Sequence, residues 1–225
     1  AAGADDGQWT GAGGFSSSHA YFLIGRDGTA IYNGFFRFTN VTIPAGSVIQ
    51  SAVVQLKSES ASSTAGCAFT LYCEDADNPA APTDAADCNG RSLTDGVAWS
   101  VPSFSAETWY DSEDIAADLQ DVIDRAGWAS GQAINVFIKN AAGSGTTFRW
   151  VRGYDSGAAN AAKLVVTYSE PVEVDLTDGA GLGDAVDSFS LTDGITDGAG
   201  LGDLVDAYNT DETITQAAGL GDTVA

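Results

Sequence analysis

The stretch Ala20-Tyr21-Phe22-Leu23-Ile24-Gly25-Arg26-Asp27-Gly28-Thr29-Ala30-Ile31-Tyr32-Asn33-Gly34-Phe35-Phe36-Arg37-Phe38 contains two apolar, aromatic and β-branched runs, Ala20 to Ile24 and Ala30 to Phe38, parted by Asp27-Gly28. Such residues fit a pleated, half-buried surface, and Asp-Gly supplies the positive φ that a tight hairpin turn needs. Outward from this hairpin, runs of the same kind bounded by turn residues recur at Ser51 to Lys57, Ala68 to Cys73, Ile134 to Lys139, Thr147 to Val151 and Lys163 to Tyr168, with shorter ones around Val97 to Trp99 and Trp109. Short strands with turn signals between them predict a mainly β fold, a sandwich or barrel. One segment breaks the period of two. In Ser112 to Arg125, Ile115, Leu119, Val122 and Ile123 recur at the spacing of one helical face. A single short amphipathic helix is expected here, capped by Asp111 or Ser112 and covering an edge or end of the sandwich.

With 225 residues at 44% apolar, the chain can bury one sizeable core. Its 31 acidic residues face 9 basic ones, for a net charge of −22. Nucleic acid is a poor partner, because phosphate binding needs clustered Lys and Arg, and anionic lipid surfaces are disfavoured for the same reason. No window of the sequence is apolar for the length needed to insert into a membrane as a helix. The chain contains no Met and begins Ala1-Ala2, which fits either signal-peptide cleavage or removal of an initiator Met.

The acid is concentrated at one end: Glu170 to Ala225 has thirteen carboxylates and no Lys or Arg. Ala-Gly-Leu-Gly-Asp occurs three times there, starting at Ala180, Ala199 and Ala218, 19 residues apart. Each unit carries an apolar stripe, Leu182, Val186 and Phe189 in the first copy, Leu201, Val205 and Tyr208 in the second, Leu220 and Val224 in the third. Units of this size cannot bury their own apolar residues and become stable by stacking on neighbours. The stripe fits a short helix after a Gly-rich turn, and the alternation of Leu182, Asp184 and Val186 equally fits a strand. In either form these residues are expected to contact copies of the same chain or other subunits of one assembly. The domain organisation read from the sequence is an extended N-terminal segment over 1–13, a β-sandwich domain over 14–170 and an acidic repeat tail over 171–225.

Cys67 and Cys73 flank one predicted strand and lie beyond disulfide reach of each other, about 20 Å at strand rise. A Cys73–Cys88 bridge would close a loop of about 15 residues, contribute roughly 3 kcal/mol in the chain-entropy model, and imply an oxidising setting. The alternative is three buried free thiols acting as small hydrophobes. Around those cysteines, Glu74, Asp75, Asp77, Asn78, Asp84 and Asp87 gather hard oxygens of the kind that Ca²⁺ takes. A solvated acidic loop is the competing reading. In the tail, Asp178, Asp184 and Asp187 recur as Asp197, Asp203 and Asp206, where bound cations would screen repulsion.

Four pieces fall in a familiar order: Gly34-Phe35-Phe36-Arg37-Phe38, then Ile43-Pro44-Ala45-Gly46-Ser47-Val48-Ile49-Gln50-Ser51-Ala52, then Asp124-Arg125-Ala126-Gly127-Trp128-Ala129-Ser130-Gly131, and last Tyr154-Asp155-Ser156-Gly157 leading into Lys163-Leu164-Val165-Val166-Thr167-Tyr168. Over about residues 20 to 168 the chain resembles the DNRLRE-type β-sandwich domains of secreted and surface proteins, relatives of carbohydrate-binding modules. The run of letters that names that family is absent, so the resemblance rests on the wider pattern. Similar domains, some followed by Gly-Leu-x-Asp-x-Val repeats, occur in bacteriophage structural proteins. The resemblance implies a jelly-roll-like sandwich, a place on a virion or other extracellular surface and, loosely, affinity for polysaccharide.

Catalysis has little to work with. His19 is the only histidine, and the sequence shows no nucleophile elbow, zinc-ligand spacing or phosphate loop. A non-enzymatic structural role is therefore expected, with a carbohydrate-binding adhesion module on a spacer tail, or a subunit of an extracellular cell-surface filament, as the alternatives. Glycan binding would use exposed aromatic faces, which stack on the C–H surfaces of sugar rings. Trp99, Trp109, Tyr110 and Tyr154 are the candidates, with Trp109 and Tyr110 foremost because adjacent strand residues point to opposite faces. Trp128 and Trp150 could serve in the same way, but residues so placed are more often core, and both are expected there.

Overall fold

A computed structural model describes residues 4–142 and 145–171. The contacts divide the chain between Glu173 and Val174, and all the described residues belong to the first unit. The assembly residues Leu182, Val186, Phe189, Leu201, Val205, Tyr208, Leu220 and Val224, and the repeats that carry them, lie outside the described residues.

The fold is mainly β, with two sheets. Among the described residues, eleven strands run in chain order: β1 (Asp6–Thr10), β2 (Phe15–Ser16), β3 (Tyr21–Asp27), β4 (Ala30–Val41), β5 (Val48–Lys57), β6 (Ala68–Cys73), β7 (Val97–Ser100), β8 (Trp109–Asp111), β9 (Gln132–Ala142), β10 (Thr147–Arg152) and β11 (Lys163–Ser169). Two helices interrupt them, α1 (Ala85–Gly90) and α2 (Ala116–Ile123). The larger sheet is ordered β10-β3-β4-β9-β6-β7, with β1 also on β4 and β2 on β1, and the smaller is β11-β5-β8. Every pairing is antiparallel.

The expected hairpin joins β3 to β4, with the turn one residue later than the letters suggest. Asp27 pairs with Ala30 inside the ladder, and Gly28, at φ +62°, and Thr29 form the loop. A positive φ at the first of two loop residues matches the twist of the flanking strands, and glycine takes it without steric cost.

The main core lies between the sheets. Phe22, Ile24, Phe36, Leu71, Cys73, Val136 and Ile138 of the larger sheet join Ala52, Val54 and Leu56 of the smaller, with Ile115, Leu119, Val122 and Ile123 from the α2 region. Trp128 is buried in the same cluster and its indole N–H donates to the Ile43 carbonyl at 3.1 Å, as the core reading expects.

The segment 112–120 solves an edge problem. β8 pairs with β5 only from Gln55 to Lys57. Farther along β5, the Val54 N–H donates to Ser112 Oγ at 3.0 Å, the Ala52 N–H to Asp114 Oδ1 at 2.9 Å, and the Ile49 N–H to Gln120 Oε1 at 2.7 Å. The Ser112 and Ile115 N–H groups donate back to the Val54 and Ala52 carbonyls. Side chains thus stand in for a missing strand, and these backbone groups of the edge find partners. This use of Ser112 corrects the expected cap. The helix starts later, at Ala116, its N-cap Ile115 makes no side-chain cap bond, and Asp114 Oδ1 accepts the Ala116 N–H instead.

A second, smaller core sits on the other face of the larger sheet. Trp9, Phe35, Phe137, Ala85 and Cys88 are buried together there, with Phe15, Tyr72 and Leu93 against them. The segment read as an extended N-terminal piece therefore carries a strand of the sheet, and Trp9 is fully buried.

The two cores decide the cysteine question. Cys67, Cys73 and Cys88 are all free and buried. Cys73 belongs to the inter-sheet core, whereas Cys88, on α1, belongs to the cluster across the sheet. The expected Cys73–Cys88 bridge is not formed, because the sheet itself lies between the two sulfurs. Burial pushes the Cys88 thiol up to about 12, with Asp87 adding to the effect, and raises those of Cys67 and Cys73 as well. Protonated, buried thiols are chemically quiet.

Candidate functional site

The acidic loop between β6 and α1 is held by arginines. Arg91 Nη1 reaches Glu74 at 2.8 Å and Arg91 Nη2 reaches Asp87 at 2.8 Å. The Arg91 hydrogen bond, together with bonds from Thr83, holds the Asp87 carboxyl below the usual range. Arg125 Nε pairs with Asp77 at 2.7 Å, and its Nη1 pairs with Asp75. Asp84 caps α1 by accepting the Asp87 N–H at 2.8 Å, and Asn78 Oδ1 accepts the Ala133 N–H at 3.0 Å. Each expected metal ligand is thus bonded to a protein donor. Among the described residues, no group of three or more His, Cys, Asp and Glu is placed to hold a metal ion.

The four aromatic residues singled out for glycan contact do not form one platform. Trp99 is 3% exposed and packs edge-on against Phe69. Tyr110 stacks on Phe104 with ring centres 4.0 Å apart, and its hydroxyl accepts the Ser105 N–H at 2.7 Å. Trp109 is half-buried, and the Lys163 ammonium lies 4.1 Å from its ring centre. Tyr154 sits in a short 3-10 turn after β10, its N–H donating to Asp6 Oδ2 at 2.7 Å.

A different set of aromatic residues lines a cleft beside β3. β4 changes partner along one edge: β3 pairs with it only from Asp27↔Ala30 to Gly25↔Tyr32, and β9 takes over from Gly34↔Ile138, while β1 holds the other edge from Thr10↔Tyr32 to Asp6↔Phe36. At Gly25 the backbone has φ +131°, and a Cβ there would come within 2.4 Å of the Thr147 carbonyl oxygen. Glycine therefore permits both the bend and the close approach of β10. Beyond it β3 peels away from β4, and a cleft of about 610 Å³ lies beside β3, lined also by Gln8 of β1 and Trp150 of β10.

Gln8 reaches from β1 to β3. Its Oε1 accepts the Leu23 N–H at 2.7 Å, so a side chain supplies the bond that β4 no longer provides. Tyr21 and Trp150 line the cleft from β3 and β10, Asp27 and Tyr32 from the hairpin, and His19 from the entering loop. Tyr21 is 48% exposed and meets Trp150 edge-on at 5.7 Å, while Phe148 also meets that ring edge-on, at 6.0 Å. Two edge contacts fix the Trp150 ring.

The sequence reading expects Trp150 in the core, and the structure leaves it half-buried at the cleft. The inverted neighbour is Arg149, which is 1% exposed. Along β10, Thr147, Arg149 and Val151 are the buried set and Phe148, Trp150 and Arg152 the half-buried one. Alternation in the letters identifies the two sets, but hydropathy assigns them to the wrong sides.

Behind the cleft, Asp6 ties β1 to the turn after β10. Burial pushes its carboxyl from 3.8 up to about 6, against the pull of the Tyr154 N–H and with a further push from Asp155 and Asp5. The folded chain binds this proton more tightly than the unfolded chain does. The resulting stabilisation is complete below about pH 4 and is lost as the pH rises through about 6, amounting to at most about 3 kcal/mol. Asp6→Asn keeps an acceptor for Tyr154 without the charge. It is expected to raise the urea midpoint at about pH 7.5 and to flatten the dependence that the parent shows above about pH 5. A parent midpoint that does not fall over that window would refute the assignment.

No protein-family model matches the chain, and no curated protein is significantly similar to it in sequence.

Proposed function

We propose that the chain is a non-enzymatic structural protein of a virion, as a fibre, decoration or tail component, or of another extracellular assembly. Its two-sheet domain, of jelly-roll-like form, is displayed outward, and residues 171–225 make the contacts between subunits. The observation that carries this reading is the threefold Ala-Gly-Leu-Gly-Asp repeat at a period of 19 residues. Its apolar stripes need partners, since one unit is too small to cover them. The domain before it supports the same division of labour, because the members of its two cores run from Trp9 to Tyr168. The resemblance to surface and phage sandwich domains points the same way.

Removing residues 171–225 tests the proposal by light scattering after gel filtration. The full chain is expected to assemble and the shortened one to run as a monomer with an unchanged β spectrum. An oligomeric state that is the same with and without the tail would reduce the tail to a spacer and overturn the assembly role.

A further inference from the structure

We infer that the free edge of β11 accepts a strand from a second copy of the chain, the segment Val172-Glu173-Val174-Asp175-Leu176, an inference that rests on the assembly role proposed above and names the surface its tail engages. The smaller sheet ends in β11 on one side and in β8, prolonged by the segment 112–120, on the other. The two edges are finished differently. On the second, Ala52 and Val54 of β5 spend their N–H and C=O groups on Asp114, Ile115 and Ser112. Ser51, Val53 and Gln55 therefore turn theirs toward β11, where the register sets them opposite Thr167, Val165 and Lys163. Leu164 and Val166 are left with N–H and C=O groups that point away from the sheet. Tyr168 does the same past the bulge, since its partner Ile49 bonds Gln120 on the far side. Among the described residues, none bonds these main-chain groups of Leu164, Val166 and Tyr168.

Natural sheets guard such an edge with charge, proline or a covering element, yet Leu164-Val165-Val166-Thr167-Tyr168-Ser169 has neither a charge nor a proline. Leu164, Val166 and Tyr168 pack against the main core but stay only half-buried, and Val165 on the outer face is 44% exposed. An added strand satisfies the backbone and closes that end of the core. Alternation, charge and chain direction identify the strand. Val172, Val174 and Leu176 recur at a period of two and suit the core side, which puts Glu173 and Asp175 on the outer face with Lys163, an exposed cation of β11. The segment cannot fold back on its own β11 by a tight turn. Favoured two-residue hairpins need a positive φ at the first loop position, here Glu170, and a residue before proline is held extended. Pro171 lies beside Gly46, two residues on from the Ser169↔Val48 pair in both segments, so the chain is still running straight past the start of β5. Donor and acceptor are different surfaces, which makes the contact head-to-tail and repeatable from copy to copy.

Light scattering of the full chain and of three full-length variants over a range of concentrations tests the inference. Val166→Pro removes a main-chain donor on the free edge and none in the ladder to β5, the kind of position where a sheet tolerates proline. Val165→Glu alters an exposed outer side chain and sets a like charge against Glu173 and Asp175. Val174→Pro breaks the donor and leaves the two-sheet domain untouched. The concentration of half-assembly is expected to rise about tenfold or more in either proline variant and about twofold to fivefold in Val165→Glu, the last difference shrinking as salt is added. An unchanged β spectrum verifies folding, and if Val166→Pro unfolds, Val165→Glu and Val174→Pro decide. The inference is overturned if the variants assemble like the parent, if Val174→Pro alone weakens assembly, which moves the acceptor off β11, or if the β11 variants alone do, which makes the partner strand something other than 172–176. Assembly that is lost on removing residues 171–225 yet survives in all three variants overturns strand addition and leaves the assembly role standing. A parent chain that is monomeric at every concentration overturns both.

Discussion

Arg149→Met is expected to destabilise the domain by about 3–5 kcal/mol, read as a fall in the urea midpoint without a change in slope. The guanidinium is 1% exposed and bonds main-chain carbonyls: Nε to Pro102 at 2.8 Å, Nη1 to Phe148 at 2.9 Å, and Nη2 to Thr64 and Val101 at 3.2 and 3.3 Å. It also lies 5.5 Å from the centre of the Phe104 ring. One side chain therefore joins β10 to two loops that also meet each other at Ser62–Phe104, Ser58–Thr108 and Cys67–Val101. Methionine fills much the same volume but leaves those carbonyls buried without a donor, and each such group costs about 1–3 kcal/mol. Arg149→Lys should recover only a fraction of the loss, because a point-like ammonium cannot reach acceptors spread around a planar fork. If Arg149→Met melts like the parent, the guanidinium is not the tie described.

Trp9→Ala should cost about 3–5 kcal/mol, the usual range for a fully buried aromatic residue. Trp9 meets Phe137 edge-on at 5.6 Å and Phe35 at 6.4 Å, and its indole N–H donates to Asn89 Oδ1 at 3.0 Å. Removing the ring opens the small core in which Cys88 is buried. The thiol gives a second readout. In native buffer the parent's thiols are expected to resist a disulfide reagent, whereas in Trp9→Ala the Cys88 thiol becomes reactive. Deleting residues 1–10 should have the same effect, because it removes β1 as well as the ring. Unchanged stability and unreactive thiols in Trp9→Ala would mean that the N-terminal segment is loosely attached.

How much of the fold is legible in the letters depends on the range of the interactions involved. The runs Ala30 to Phe38 and Lys163 to Tyr168 form β4 and β11 nearly as read. Likewise the i, i+4, i+7, i+8 spacing of Ile115, Leu119, Val122 and Ile123 locates the helix and its buried face. These are short-range signals, set by side-chain periodicity along a strand or helix. The cap of α2 escapes them because Ser112 is used by Val54, which is distant in sequence.

Long-range partners decide the rest. An arginine in a strand reads as exposed until carbonyls from two distant loops surround it, and only then does Trp150 turn toward the cleft. Nothing near the acidic residues between the two cysteines announces that Arg91 and Arg125 bond four of them in the fold. Cys73 and Cys88 are close along the chain, yet a sheet completed by β9 and β4 separates them. Local sequence therefore determined strand and helix positions, since their physics is periodic and near-neighbour. The side each strand buries, the parting of β3 from β4, and the partners of Arg149, Arg91 and Arg125 were decided by tertiary contacts, whose members lie too far apart in sequence to leave a local pattern.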